Sequence, residues 1–230
     1  MKIAVLGGTG DQGLGVVIRF VQLGEQVIIG SRKAEKAEKA VENVKELLGG
    51  NDLDNLKGLS NEDAAKEAEI VILTVPILAQ KPTLDSVKDF VEGKIFIDAT
   101  VPLQSNIGGK PTTYFTLWEG SAAERTASIL KGSGAKIVSA FNNISSSSLK
   151  DFDKKPEIDC DCLVSSDDNE AKKTVIELIE KIPGIKCVDC GPLEQARTVE
   201  RITALLINLN IRYKTHYGGL RITGLGNKKP

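Results

Sequence analysis

The residues best placed to do chemistry lie within the first 36 positions. Gly8-Thr9-Gly10-Asp11-Gln12-Gly13 has the spacing G-x-G-x-x-G. It falls between a short apolar run, Lys2 to Leu6, and a stretch patterned as a helix. Alone that spacing is weak. Between a strand and a helix it marks a turn that holds a dinucleotide pyrophosphate. Gly8 allows the tight turn, Gly10 lets the backbone approach the phosphates, and Gly13 lets the helix pack on the strand. The helix start adds free N–H groups and the positive end of its dipole. Further on, the chain reads Gly30-Ser31-Arg32-Lys33, with Lys36 one turn later and no acid before Glu35. Folds that bind NAD place an acid there for the ribose 2′-OH. A serine hydroxyl, an arginine fork and a lysine suit a 2′-phosphate instead. Basic residues at a helix start oppose its dipole, so an anionic ligand explains them better. The expectation is an NADP(H) site.

Other reactive residues carry less. His216 is the single histidine and sits in a tail rich in glycine and arginine. A histidine-based triad or metal site therefore has one candidate, and an incidental tail residue is the simpler reading. Cys160-x-Cys162 and Cys187-x-x-Cys190 could make a four-thiolate zinc site or a redox pair. They fall on two expected strands, so core packing is preferred and no metal is expected. Ser145 to Ser148 lacks the G-x-S-x-G elbow and a histidine partner, so it is no nucleophile motif. Arg197 and Arg201 share a helix face. They either attract an acidic ligand or pair with Glu194 and Glu200. Tyr114, Phe115 and Trp118 could cover a ring-shaped ligand, but local packing of their loop is favoured.

The elements that must position these residues alternate. Strands are expected at 2–6, 26–29, 70–75, 94–99, 135–141, 160–164 and 185–190. Helices are expected at 11–23, 33–48, from Asn61 as N-cap, 83–92, 121–131, 168–181 and 194–211. Gly49 to Asp52 breaks the second helix, and 102–120 reads as a long loop. The tail 217–230 is glycine-rich, with one β-like piece, LRIT. The alternation means a parallel sheet with right-handed crossovers. The first six strands form a doubly wound α/β (Rossmann) sheet, followed by a small C-terminal α/β extension. A boundary near 150 separates an NADP-binding domain, 1–150, from a smaller unit, 151–230. The bulk numbers agree with an ordinary globular chain: 230 residues, 41% hydrophobic, 27% charged, net charge −1. That balance points away from nucleic acid and anionic membranes. No apolar run has the length of a membrane span, and no secretory signal precedes the first strand. A cytoplasmic protein is expected.

MKIAVLGGTGDQG followed by IIGSRKAEKA resembles the F420-dependent NADP reductase family of methanogens and related archaea. The resemblance continues through NEDAAKEAEIVILTVP, SAAERTASIL, KIVSAFNNIS, DCDCLVSSDDNEAKK and DCGPLEQARTVERITALLINLNIR, and so covers nearly the whole chain. It implies reversible hydride transfer between reduced coenzyme F420, an 8-hydroxy-5-deazaflavin, and NADP. Thr9, Gly10, Asp11, Gln12, Ser31, Arg32 and Lys36 match NADP-binding positions of the family. Val75 and Val101, followed by Pro76 and Pro102, match positions near the nicotinamide. Ala140 and the segment Phe141 to Ser146, with Ile144, match a wall between the two cofactors. Leu220 matches a deazaflavin contact, which makes the C-terminal unit the completion of the second cofactor site. Some relatives carry His-Thr-Ile-Pro where this chain has Asn142-Asn143-Ile144-Ser145.

The residues agree with that chemistry at one point. Hydride transfer between two bound rings needs positioning and exclusion of water more than an acid or a base. A chain with one histidine and apolar strand ends suits it, and no catalytic proton-transfer residue is expected. The long C-terminal helix suggests a homodimer. Two alternatives stay open: an NADPH-dependent flavin, imine or carbonyl reductase, and a non-enzymatic NADP(H)-sensing protein.

Overall fold

Every strand of the main sheet runs parallel, in the order β3-β2-β1-β4-β5-β6. The computed structural model describes residues 1–50 and 53–225; Asn51, Asp52 and the last five tail residues lie outside the described residues. The chain runs β1 (Lys2–Leu6), α1 (Asp11–Gln22), β2 (Gln26–Ser31), α2 (Ala34–Leu47), β3 (Leu56–Ser60), α3 (Asn61–Glu67), β4 (Ile70–Leu73), α4 (Ile77–Val87), β5 (Ile95–Asp98), α5 (Ala122–Ile129) and β6 (Lys136–Ser139). The strand order reverses between β1 and β4, the point at which doubly wound sheets open a crevice at their carboxyl ends.

The central strands read as apolar runs because both sheet faces are covered. Ile3, Val5, Ile29, Ile72 and Ile97 face α1, with Val17 and Phe20 against them. Ala4, Leu6, Ile28, Val71 and Phe96 face the other way, toward Leu84 and Val87 of α4.

The chain continues through α6 (Ser146–Lys150), β7 (Cys160–Val164), α7 (Asn169–Ile179), β8 (Ile185–Asp189) and α8 (Ala196–Arg212). β7 and β8 form a separate parallel pair, with Cys162 opposite Cys187. A single bridge, Ser139 to Ser165, joins this pair to the main sheet. One buried cluster nevertheless runs across residue 150: Val16, Phe20 and Val138 belong to it, and so do Cys162, Val164 and Ile179. Arg19 fastens the two parts from inside. The residue is 3% exposed. It donates to the carbonyls of Leu149 at 2.9 Å, Ser148 at 2.7 Å and Pro156 at 3.0 Å, and to that of Lys155.

Several expectations are corrected. The sixth strand of the main sheet is Leu56–Ser60, not Cys160–Val164. It is a half-exposed edge strand without clear alternation. α4 begins at Ile77, directly after Pro76, and holds Pro82 inside it, so the expected start at 83 is six residues late. The proline leaves the Leu78 carbonyl without its helical donor, and the Leu78 side chain is 66% exposed, on a wet face. The N-cap of α3 is Ser60, whose hydroxyl accepts the Asp63 N–H at 3.1 Å; Asn61 is the first helical residue and is buried. The LRIT piece forms no strand. It contributes one ladder-like bond, from Asp161 N–H to the Leu220 carbonyl at 2.8 Å.

Candidate functional site

The glycine turn opens onto the crevice. Gly7, not Gly8, takes the left-handed conformation, with φ 80°. Gly8 is needed for space, since a Cβ there would stand 2.9 Å from the Val5 carbonyl oxygen. At Gly13 a Cβ would meet Gly7 O at 2.6 Å and Gly8 Cα at 2.7 Å, so α1 packs on the turn only without a side chain. Gly10 differs. The nearest atom to a Cβ there is 3.5 Å away, and the residue borders the cavity. Its glycine keeps open a space that the fold itself does not require. Gly10 is also the N-cap of α1 and provides no side-chain acceptor. The first N–H groups of α1 are therefore left for an anion. Asp11, in that first turn, is held by Lys150 at 2.5 Å.

A cavity of about 740 Å³ extends from this turn along the carboxyl ends of the strands. Its floor is Thr74 to Pro76 after β4 and Ala99 to Val101 after β5. One wall is Asn142 to Ser147, and the opposite wall is α8 with Thr203, Leu206, Ile207 and Asn210. Lys214 to His216 and Gly218 complete the rim. The cavity thus gathers Gly10, Asp11, Gln12, Val75, Pro76, Val101, Ile144 and Ser146 as expected. Gly8, Thr9, Ala140 and Leu220 are outside its lining. Ala140 is fully buried in the core.

The walls are pinned by buried polar groups. Asp98, fully buried, accepts the Thr100 N–H at 2.6 Å, the Gln80 amide at 2.9 Å and the Thr126 hydroxyl. Burial pushes its carboxyl above the usual carboxylate range. It thereby fixes the turn that presents Ala99 to Val101. The Asn142 amide donates to Thr100 O at 3.1 Å, and Thr203 Oγ1 donates to Asn142 O at 2.7 Å. Asn143 bonds both Asp161 O and Leu163 N–H on β7. Phe141, with φ 66°, begins this wall in a left-handed conformation that side chains rarely adopt. Its N–H meets Cys162 Sγ at 3.4 Å and its carbonyl accepts from Gln12 at 3.2 Å. Asn142 and Asn143 thus act as braces of this wall.

A second cavity, about 390 Å³, lies beyond the end of β2 and is lined by Ser31, Arg32, Ser60 to Glu62 and the flank of α4. The Ser31 oxygen takes the Lys33 N–H at 3.5 Å, which leaves its own hydrogen free to donate. Asn61 lines the same cavity at 6% exposure and its Oδ1 has no partner. Sequence reasoning assigned Asn61 to capping and missed this placement. Its signal was a helix start immediately after a strand, hidden because β3 itself was missed. Lys36 is exposed and outside the lining.

Other candidates go elsewhere. Arg197 pairs with Glu124 at 2.6 Å, and Arg201 donates to Thr116 at 3.1 Å while lying over the Tyr114 ring at 5.3 Å. Neither pairs with Glu194 or Glu200, one of the two alternatives left open by the sequence. Glu200 instead accepts the Ala122 and Ala123 N–H groups at the start of α5, at 3.0 and 3.2 Å, and the Tyr114 hydroxyl at 3.2 Å. Burial pushes its carboxyl up to about 8. Trp118 is 99% exposed, against the expected packing of its loop, whereas Tyr114 and Phe115 are half-buried. The four cysteines are free thiols, Cys160 and Cys162 buried and Cys187 and Cys190 half-buried. Burial pushes the Cys160 thiol up to about 12. A hydrogen bond with Cys162, followed by burial, pushes up the Cys187 thiol. Among the described residues, no three metal-ligating side chains converge.

Three comparisons bear on this site. A family model for coenzyme F420-dependent NADP oxidoreductase matches residues 2–102. The F420-dependent NADP reductase of Methanothermobacter thermautotrophicus is 54% identical, over 98% of this chain and 96% of its own length. That of Methanocaldococcus jannaschii is 47% identical, over 98% and 99%. A crystal structure of a candidate F420-dependent NADP reductase from Arthrobacter sp. FB24 covers 97% of this chain and all of its own, with a TM-score of 0.81 and 26% identity.

Proposed function

The chain belongs to the F420-dependent NADP reductase family, and from that premise we propose how its two cavities divide the reaction. The protein is an oxidoreductase that moves hydride between reduced coenzyme F420 and NADP. The smaller cavity takes the 2′-phosphate on Ser31 and Arg32, with Asn61 beside them and Lys36 adding charge from α2. The uncapped start of α1 takes the pyrophosphate over Gly10, with Thr9, Asp11 and Gln12 shaping the turn. The larger cavity takes the nicotinamide on Val75, Pro76 and Val101. It takes the deazaflavin against Ile144, Ser146 and the tail.

One observation carries this reading. A single 740 Å³ space joins the phosphate turn to a largely apolar chamber, closed on the far side by α8 and the tail. That space suits two ring systems lying together. When bound, the reduced deazaflavin supplies the hydride and the nicotinamide accepts it. The protein's part is to orient and to exclude water. The lining offers Asp11, Lys214 and His216 as its ionisable groups, and Asp11 is committed to Lys150. Lys214 and His216 remain at the rim, and direct hydride transfer between two bound rings needs neither as an acid or a base. The test is NADP reduction followed at the deazaflavin absorption band, with a flavin as control. Turnover with the deazaflavin alone is expected; none with it refutes the reading.

The organisation and setting follow. Residues 1–150 supply the NADP half and 151–230 complete the second half. α8 turns Leu205, Leu209 and Ile211 outward at 55%, 37% and 60% exposure, and these form the contact of a homodimer. Light scattering should give twice the chain mass, and Leu205→Glu should halve it. No helix among the described residues is long and apolar enough to cross a membrane, in keeping with action in the cytoplasm.

A further inference from the structure

Lys214 occupies an unusual place for a lysine. It follows α8 with φ 52°. Thr215 N–H donates to Asn210 O at 3.0 Å and Lys214 N–H to Ile211 O at 3.4 Å. That pair of bonds is the glycine-favouring helix stop, with Lys214 at its left-handed position. Any side chain there carries a conformational cost that glycine escapes. A basic residue near a helix C-terminus gains a little from the dipole, but Arg212 already provides that charge.

The position has a second property. Lys214 lines the larger cavity beside Thr215 and His216. It has no acidic partner among the described residues. Arg197, a possible attractor for an acidic ligand, is spent on Glu124, and Arg201 is engaged with Thr116 and Tyr114. The cavity's own acid, Asp11, is held by Lys150. Lys214 is an exposed lining residue without an acidic partner among the described residues, in a place where glycine would be easier, and so is free to meet an anion from the ligand.

We propose that Lys214 docks the anionic side chain of the deazaflavin coenzyme, through its phosphate or its carboxylates, and so favours the complete coenzyme over its neutral ring core. This rests on the function proposed above. The test measures Kd at one ionic strength for three ligands: the ring-and-ribityl core, the core carrying only the phosphate, and the complete coenzyme. Lys214→Gly should weaken the complete coenzyme about 3- to 5-fold, the upper range of an exposed ion pair. The core and NADP should bind as before, and Lys214→Arg should bind the coenzyme within about twofold of the parent. Weakening already present with the phosphate-only ligand assigns the contact to phosphate. Weakening only with the complete coenzyme assigns it to the carboxylates. The melting temperature of Lys214→Gly should not fall, because glycine suits the left-handed position. Equal weakening of all three ligands, or of none, overturns the proposal. A parent protein that binds no deazaflavin overturns the functional reading instead.

Discussion

Replacing Arg32 with alanine should convert a strong preference for NADP into a weak one. Arg32 lines the smaller cavity with Ser31 and Asn61, and its side chain is exposed. A hydrogen bond to a charged group contributes about 1.5–3 kcal/mol. Exposure and salt screening place Arg32 at the lower end. About 1.5–2 kcal/mol corresponds to a loss of about 10- to 30-fold in NADP affinity. Ser31 donates a neutral hydroxyl, so Ser31→Ala should cost about fivefold. Lys36 stands outside the cavity and acts through screened charge alone, so Lys36→Ala should cost about fivefold at most. NAD lacks the phosphate and should bind all three variants within about twofold of the parent. Calorimetric titration of both dinucleotides at one ionic strength reads each term. Added salt should narrow the gap between parent and Arg32→Ala for NADP. Equal losses for NADP and NAD would refute the assignment. So would a larger loss for Lys36→Ala than for Arg32→Ala, which would move the phosphate onto α2.

Gly13→Ala forces a methyl group against Gly7 O and Gly8 Cα; it should destabilise the fold by about 1–3 kcal/mol and weaken NADP binding, seen by denaturant titration and calorimetry. Gly10→Ala has room in the fold and should lose dinucleotide affinity with an unchanged unfolding midpoint. Arg19→Met leaves four main-chain carbonyls without their buried donor; a loss of roughly 2–4 kcal/mol in denaturant unfolding is expected. Glu200 has a folded value of about 8 against an ordinary 4.5. A raised value means that the folded state holds the proton more tightly, so its contribution is complete below about 4.5 and is lost as pH rises through about 8. Melting temperatures across that window should fall in the parent and stay flatter in Glu200→Gln; an identical slope in both contradicts the buried proton.

The sequence revealed the parts of this molecule whose chemistry is local. The glycine turn, Ser31 and Arg32 were legible because one short segment holds both the spacing and its strand–helix context. The strand-end residues Val75 and Val101 came from family resemblance, and the cavity floor includes both. β3 was missed because an edge strand buries only part of its surface: Leu56 is buried and the rest are half-exposed or exposed. Its Gly58 lies against the backbone of α2, where a Cβ would meet Ala37 C at 2.5 Å. β7 was assigned to the main sheet because apolar periodicity identifies a strand without naming its neighbours. The start of α4 was displaced by Pro82, which local rules treat as a boundary. The far wall of the large cavity was illegible for a similar reason. Thr203 and Asn210 are polar while Leu206 and Ile207 are apolar, so no periodic stripe marks this face, and only packing shows that it borders a space.

The buried cluster that crosses residue 150 also has a history in time. A ribosome delivers Val16, Phe20 and Val138 well before Cys162, Val164 and Ile179. Until β7 and α7 emerge, the face of α1 and the sheet that they cover remains wet, and the growing chain carries an apolar surface in need of protection. The tail that rims the large cavity arrives later still. Synthesis therefore completes the glycine turn first and the chamber last.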